Sequence, residues 1–197
     1  MAEKTKWSID PSHSNISFKI KHLKIAYVKG AFKKYDSVIE TSGKDFMTAK
    51  IDVTIYPSSI DTGDLKRDGH LISIDFFDVN EHPEIKFISK KISGKNGSFE
   101  LWGDLTIKNI TKQIKLNIDF GGIMKDPDSG NEKAGFTVAG KIDRTQWGLK
   151  WNSALDRGGM VLSDDVLINC EIELTNETEA GSKIKSKTVE EKMGIEP

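Results

Sequence analysis

The sequence predicts an all-β fold, an antiparallel barrel of about eight strands, on three observations. Apolar and polar residues alternate in short segments, from Ile16-Ser17-Phe18-Lys19-Ile20 to Val166-Leu167-Ile168-Asn169-Cys170-Glu171-Ile172. Successive side chains of a strand point to opposite faces, so each segment has one apolar and one wet face. Turn signals join nearly all the segments closely, as an up-and-down barrel requires. A two-sheet sandwich is the structural alternative, and no internal repeat points to a propeller or solenoid.

The elements follow in order. Trp7 and Ile9 lead into Asp10-Pro11-Ser12-His13-Ser14, a turn by its Asp-Pro and serines. Asn15 to Leu23 reads as a strand with Ile16, Phe18, Ile20 and His22 on one face. Another begins near Val28, includes Gly30 and Phe32, and runs on with a bend toward Val38 and Ile39. Ala49 to Tyr56 places Ile51, Val53 and Ile55 together, and Pro57-Ser58-Ser59 stops it. The alternation then breaks, and residues 63–72 read as a short helix after the capping side chains of Asp61, Thr62 and Asp64. Gly69 inside it costs ~1 kcal/mol relative to alanine. Strands resume at Glu84 to Ile92. The Asn96-Gly97 pair signals a hairpin into Ser98 to Lys108. Gln113 to Phe120, Ala134 to Asp143 and Asp165 to Leu174 complete the set. The barrel is thus expected over residues 1–175, with a polar, aperiodic and disordered tail over 176–197.

Composition excludes several classes. Lys and Arg number 29 against 30 Asp and Glu, so no basic stripe marks a nucleic-acid binder. No stretch approaches the ~20 apolar residues of a membrane helix. The N-terminus shows no apolar signal segment, which favours a cytoplasmic location, or a periplasmic one if a signal has been removed. Cys170 is the one cysteine, so no internal disulfide is possible, and its inward position suits a small core residue.

Motifs for chemistry are sparse. The histidines at 13, 22, 70 and 82 lack zinc-site spacing, no G-x-S-x-G elbow occurs, and no P-loop or G-x-G-x-x-G supports a cofactor. No catalytic residue, metal ligand or cofactor is therefore assigned. The cluster Arg67-Asp68-Gly69-His70 sets a permanent cation and a titratable ring beside Phe76 and Phe77. Such an Arg suits an anionic head group, because its fork offers two parallel hydrogen bonds; a surface ion pair is the alternative. Arg144 poses the same choice.

These segments, taken in order, resemble the YceI-like family of lipocalin-like polyisoprenoid-binding proteins. The resemblance is carried by Trp7-Ser8-Ile9-Asp10-Pro11-Ser12-His13-Ser14, Phe18-Lys19-Ile20-Lys21-His22-Leu23 and Arg67-Asp68-Gly69-His70-Leu71. Asp75-Phe76-Phe77-Asp78, Gly103-Asp104-Leu105-Thr106-Ile107-Lys108 and Asp143-Arg144-Thr145-Gln146-Trp147-Gly148-Leu149 extend it. It spans roughly Trp7 to Leu174 and departs at Asn109, where glycine is usual, and at Gly69. It implies an extended lipocalin-like eight-stranded barrel, often a homodimer, holding a long isoprenoid-type lipid in its lumen.

On this basis a non-enzymatic lipid-binding or lipid-carrying role is expected. The lumen is expected to be lined by Phe18, Ile20, Phe32, Ile51, Val53, Leu105, Ile107, Leu116, Phe136 and Val138, with Phe76 and Phe77 gating the mouth. His22, Arg67, His70 and Arg144 are the expected contacts to the polar head. An enzyme using His22 or His70 on a bound lipid, and a ligand-free stress-response module, are the rival readings.

Overall fold

The protein is described from a computed structural model over residues 3–154 and 160–177. Eleven strands and one α-helix are present among the described residues. They are β1 (Lys4–Ile9), β2 (Asn15–His22), β3 (Ala26–Phe32), β4 (Tyr35–Ser42), β5 (Asp45–Ile55) and β6 (Ile60–Asp61). Helix α1 (Leu65–Ile72) follows, then β7 (Ile85–Lys95), β8 (Ser98–Ile107), β9 (Ile110–Lys125), β10 (Glu132–Asp143) and β11 (Leu162–Asn176).

All pairings are antiparallel. The ring β1-β4-β5-β7-β8-β9-β10-β11 closes on itself through β1–β11, giving the eight-stranded barrel. Closure gives β1 a partner on each side, β4 and β11. The topology is not a plain up-and-down meander. β11 pairs with β1 only at Leu174, Thr175 and Asn176, and over Leu162 to Glu171 it pairs with β2 instead. The wall forks at the Asp10 turn, and β2, β3 and β6 extend it beside the closed ring. The expected single strand through Val28 and Ile39 is two strands, because the chain turns at Lys33-Lys34. Asn176, the first residue of the expected tail, still pairs with Trp7. The remainder of the proposed tail, 178–197, lies outside the described residues.

Local chemistry explains several joints. Asn96 and Gly97 both take positive φ, 55° and 83°, the type I′ geometry that matches strand twist. Asp64 caps α1 by accepting from the Lys66 and Arg67 N–H groups. Gly103 lets the Phe87 ring lie against the neighbouring strand β8: a Cβ there would meet Phe87 Cε2 at 2.6 Å and the Ile88 carbonyl at 2.7 Å. Gly103→Ala is therefore expected to cost about 2 kcal/mol through overpacking. In a domain this size that lowers Tm by about 4–8 °C. An unchanged melting curve would contradict this packing.

The interior is divided. One cluster gathers Phe87, Leu101, Leu105, Ile107, Ile114, Leu116, Ile118 and Trp147; a second gathers Trp7, Ile39, Phe46, Ala134 and Leu174. Phe136 and Ile51 pack against both. Phe46, Phe120 and Phe136 cluster with ring centroids 4.9–5.6 Å apart, and Trp7 lies 5.0 Å from Phe46. Cys170 is buried in this interior, and burial pushes its thiol up to about 11, the mark of an inert core thiol.

Candidate functional site

The wider part of the wall encloses an apolar chamber of about 670 Å³. Its lining comes from β2, β3, β11 and the adjoining ends of β5, β7, β8 and β10, with α1 and the segment around Leu149 and Trp151 closing over it. Neither β1 nor β4 contributes to the lining. The chamber thus belongs to the flared side of the fork, and the ring that β1 closes is filled by side chains. Gly30 widens it locally, because the Phe18 ring occupies the space a Cβ would need, with Cζ only 2.5 Å from that position. Phe18, Phe32 and Phe77 form a continuous aromatic wall, at centroid separations of 5.6 and 6.0 Å.

Of the expected lumen residues, Phe18, Ile20, Phe32, Leu105 and Ile107 border the chamber, as do Phe76 and Phe77. Phe76 is buried against His70 and Trp151, and Phe77 abuts Phe32. Five expected lining residues are not there. Ile51, Val53, Leu116, Phe136 and Val138 face the interior but sit in its packed section. In that section opposite walls touch: Phe46 of β5 lies 4.9 Å from Phe136 of β10 across the ring. Lining residues outside the expected set include Ile16, Val28, Ile55, Leu149, Trp151, Val161 and Val166. Ile16 and Val166 carry the same alternation signal as their neighbours. Leu149 and Trp151 lie in an aperiodic segment and carry none.

His22, Arg67, His70 and Arg144 all line the chamber, but their commitments differ. Arg67 donates through Nε to the Thr62 hydroxyl at 2.7 Å and through Nη2 to the Thr62 carbonyl at 2.8 Å. The Thr62 hydroxyl donates in turn to Asp68 at 2.5 Å, which ties the start of α1 to β6. His70 pairs through Nε2 with Asp75 at 2.8 Å, and its ring stands edge-on to Phe76 and Trp151 at 5.1 and 4.7 Å. Arg144 departs from the expected head-group role. It is 3% exposed, and its guanidinium donates to the carbonyls of Leu149, Trp151 and Ser163. Its Nη2 is enclosed without a hydrogen bond, 3.6 Å from Asp164. This side chain clamps the segment that roofs the chamber, and burial lowers its pKa.

A second polar group lies away from the chamber, at the fork. Asp10 accepts from the Lys133 ammonium at 2.6 Å, from His13 Nδ1 at 3.0 Å and from the Ser12 N–H at 2.9 Å. Ligand-type atoms of Asp10, His13 and Glu173 lie within 4.8 Å of one another. The Lys133 ammonium, 2.6 Å from Asp10 and 3.1 Å from Glu173, already takes the position a cation would hold. Lys133, and then His13, hold the Asp10 carboxyl well below the usual carboxylate range. A depressed folded pKa contributes stability above the unfolded value of ~3.9, and loses it as pH falls below that value. Asp10→Asn should therefore destabilise by about 2 kcal/mol at neutral pH. Urea midpoints should show the gap between variant and parent closing below pH ~4, and a gap constant with pH would refute the assignment.

Comparison with known proteins adds to this geometry. A sequence model of the YceI-like domain matches residues 7–174. A UPF0312 protein of Staphylococcus aureus (strain USA300) is 39% identical over 171 residues, covering 87% of this chain and 98% of that protein. The crystal structure of a Campylobacter jejuni YCEI protein shares 36% identity at a TM-score of 0.68, over 79% of this chain and 88% of that one. Burkholderia cenocepacia BcnA, at 20% identity and a TM-score of 0.72, shares the fold over 84% of this chain and 98% of its own. So does a polyisoprenoid binding domain from Saccharophagus degradans, at 14% identity and a TM-score of 0.60, over 86% and 98% of the two chains.

Proposed function

The chain belongs to the YceI-like domain family, and from that premise we propose that it binds and carries an amphiphilic, isoprenoid-type lipid without acting on it chemically. The observation that carries this reading is the apolar chamber on the flared side of the barrel. Each CH2 moved from water into such a chamber contributes ~0.8 kcal/mol. Immobilising the chain offsets part of that gain. The Saccharophagus degradans domain of the same fold is described as polyisoprenoid binding, which supports the class of guest.

The polar head is assigned to the α1 side of the chamber. Arg67 spends two N–H groups on Thr62, and a guanidinium has five, so donors remain for an anionic or oxygen-rich head. His70 and His22 border the same space. A carrier role, in preference to catalysis, is supported by how many lining polar groups are committed to structural bonds. The Ser17 hydroxyl donates to the Asn169 carbonyl, Thr62 to Asp68, and Arg144 to three carbonyls.

Solvent extraction of the purified protein, followed by mass spectrometry, tests the reading. A near-stoichiometric lipid with an apolar tail is expected. Extracts that stay empty from a protein that also takes up no added lipid would overturn it. Ile20→Trp places an indole in the chamber and is expected to weaken lipid uptake about tenfold or more, 1.4 kcal/mol per factor of ten. Undiminished uptake by a folded Ile20→Trp protein would place the guest elsewhere.

A further inference from the structure

We propose that the tip of the β2–β3 hairpin, with Met160 beside it and Leu65 at the start of α1, is a docking surface for an anionic lipid bilayer. The surface lies outside the chamber and goes beyond the lipid-carrier reading. The first support is charge, for the near-balance over the whole chain conceals a local excess. From Pro11 to Tyr35 there is no Asp or Glu, and the hairpin carries Lys19, Lys21, Lys24 and Lys29. Lys19 stands directly opposite Lys29 in the ladder, a like-charge pairing that weakens a sheet. Lys19 and Lys21 hold their ammonium groups 5.6 and 5.9 Å from the centre of the Tyr27 ring. Among the described residues none of the four forms a salt bridge. The adjoining bulge of β11 holds Asp164 and Asp165, but Arg144 lies beside the first and Lys141 pairs with the second.

The second support is apolar projection. Ile25 is 83% exposed and Leu65 is 91% exposed, and Leu23 and Met160 are exposed as well. The Leu23 N–H donates to the Val161 carbonyl at 2.8 Å, so the hairpin tip adjoins Met160. Leu23, Met160 and Leu65 each follow or precede a residue that lines the chamber: His22, Val161, and Asp64 with Lys66. They therefore project at its rim. Large apolar side chains set among lysines suit the boundary between head groups and acyl chains of a bilayer.

The third support is the backbone of the tip. Leu23 and Lys24 both take positive φ, 51° and 60°. Turn positions of this kind favour Asn and Gly, as Asn96 and Gly97 show in the β7–β8 hairpin. Here the chain instead holds a large apolar side chain and a cation in strained backbone. Neither side chain is buried, so packing within the protein does not offset that strain. A second copy of the chain is a poorer occupant, because a two-fold contact would double the four lysines with no acid from either hairpin.

Co-sedimentation of the full chain with vesicles tests this, using phosphatidylcholine alone and equal parts of phosphatidylcholine and phosphatidylglycerol. Binding is expected only to the anionic vesicles, and added salt should weaken it. Lys21→Gln and Lys24→Gln should each weaken it about fivefold, 1 kcal/mol per lysine. Ile25→Ser should weaken it about tenfold or more. Leu23→Asn should weaken it too, while the melting temperature holds or rises because Asn tolerates positive φ. Ile20→Trp, which fills the chamber, should bind vesicles as the parent does, so failure of docking and failure of the carrier reading are separable. Equal binding to both vesicles, or none to either, would overturn the proposal. So would hairpin variants that bind as the parent does, or a Leu23→Asn protein that melts lower with vesicle binding unchanged. Loss of vesicle binding in folded Ile20→Trp would assign the effect to uptake into the chamber and overturn it. A dimer that Ile25→Ser dissociates, in a protein that ignores vesicles, would give the surface to a second copy.

Discussion

Replacing Arg144 with methionine is expected to destabilise the protein by about 3 kcal/mol and to weaken lipid uptake at the same time. The guanidinium is the common partner of the Leu149, Trp151 and Ser163 carbonyls. Methionine fills much of the volume but offers no donor. Each acceptor left enclosed without a partner costs about 1–3 kcal/mol, and relief of the buried charge returns part of the sum. For a domain of this size the loss lowers Tm by about 6–12 °C. Arg144→Lys should rescue little, because a point-like ammonium cannot satisfy three carbonyls set around a planar fork. The effect on uptake follows from position, since Leu149, Trp151, Val161 and Leu162 all line the chamber. A melting shift below about 2 °C, measured by circular dichroism, would mean that the clamp contributes little.

The other large effect concerns Trp7. Its side chain is 2% exposed, its Nε1 donates to the Thr41 hydroxyl at 2.9 Å, and its ring packs on Phe46. It also stands at the seam, paired across to Asn176 on β11 and to Ile39 on β4. Trp7→Ala should cost about 4 kcal/mol by removing a large aromatic from a filled interior, which lowers Tm by about 8–16 °C. Trp7→Phe keeps most of the packing and loses the hydrogen bond, so it should cost about 1 kcal/mol. Equal effects of the two variants in denaturant titrations would show that packing at Trp7 does not dominate.

Much of this structure is legible in the sequence, and the limits of that legibility are physical. Alternation identifies the inward residues of β2, and the same rule points Ile51, Val53, Leu116 and Val138 inward, as found. It cannot tell a residue that borders empty space from one that touches the opposite wall, because that difference depends on which distant strands complete the ring. The pairing of β1 with β4 and β11 makes that decision, across sequence separations no local pattern records. Asp64 as a cap and Asn96-Gly97 as a turn are legible because a single backbone position demands them. The role of Arg144 is not, since its partners are main-chain carbonyls, which look alike at every residue. Leu149 and Trp151 were equally hidden, for their segment has no period to read.

The fork at Asp10 has a consequence for traffic. Because β11 serves β2 along most of its length and β1 only at its end, the chamber is walled by the β2–β3 extension and not by β1. The carrier proposal then predicts that a guest enters the chamber hydrocarbon first, with its polar terminus left on the α1 side. Departure must then retrace arrival, so loading and unloading share one doorway.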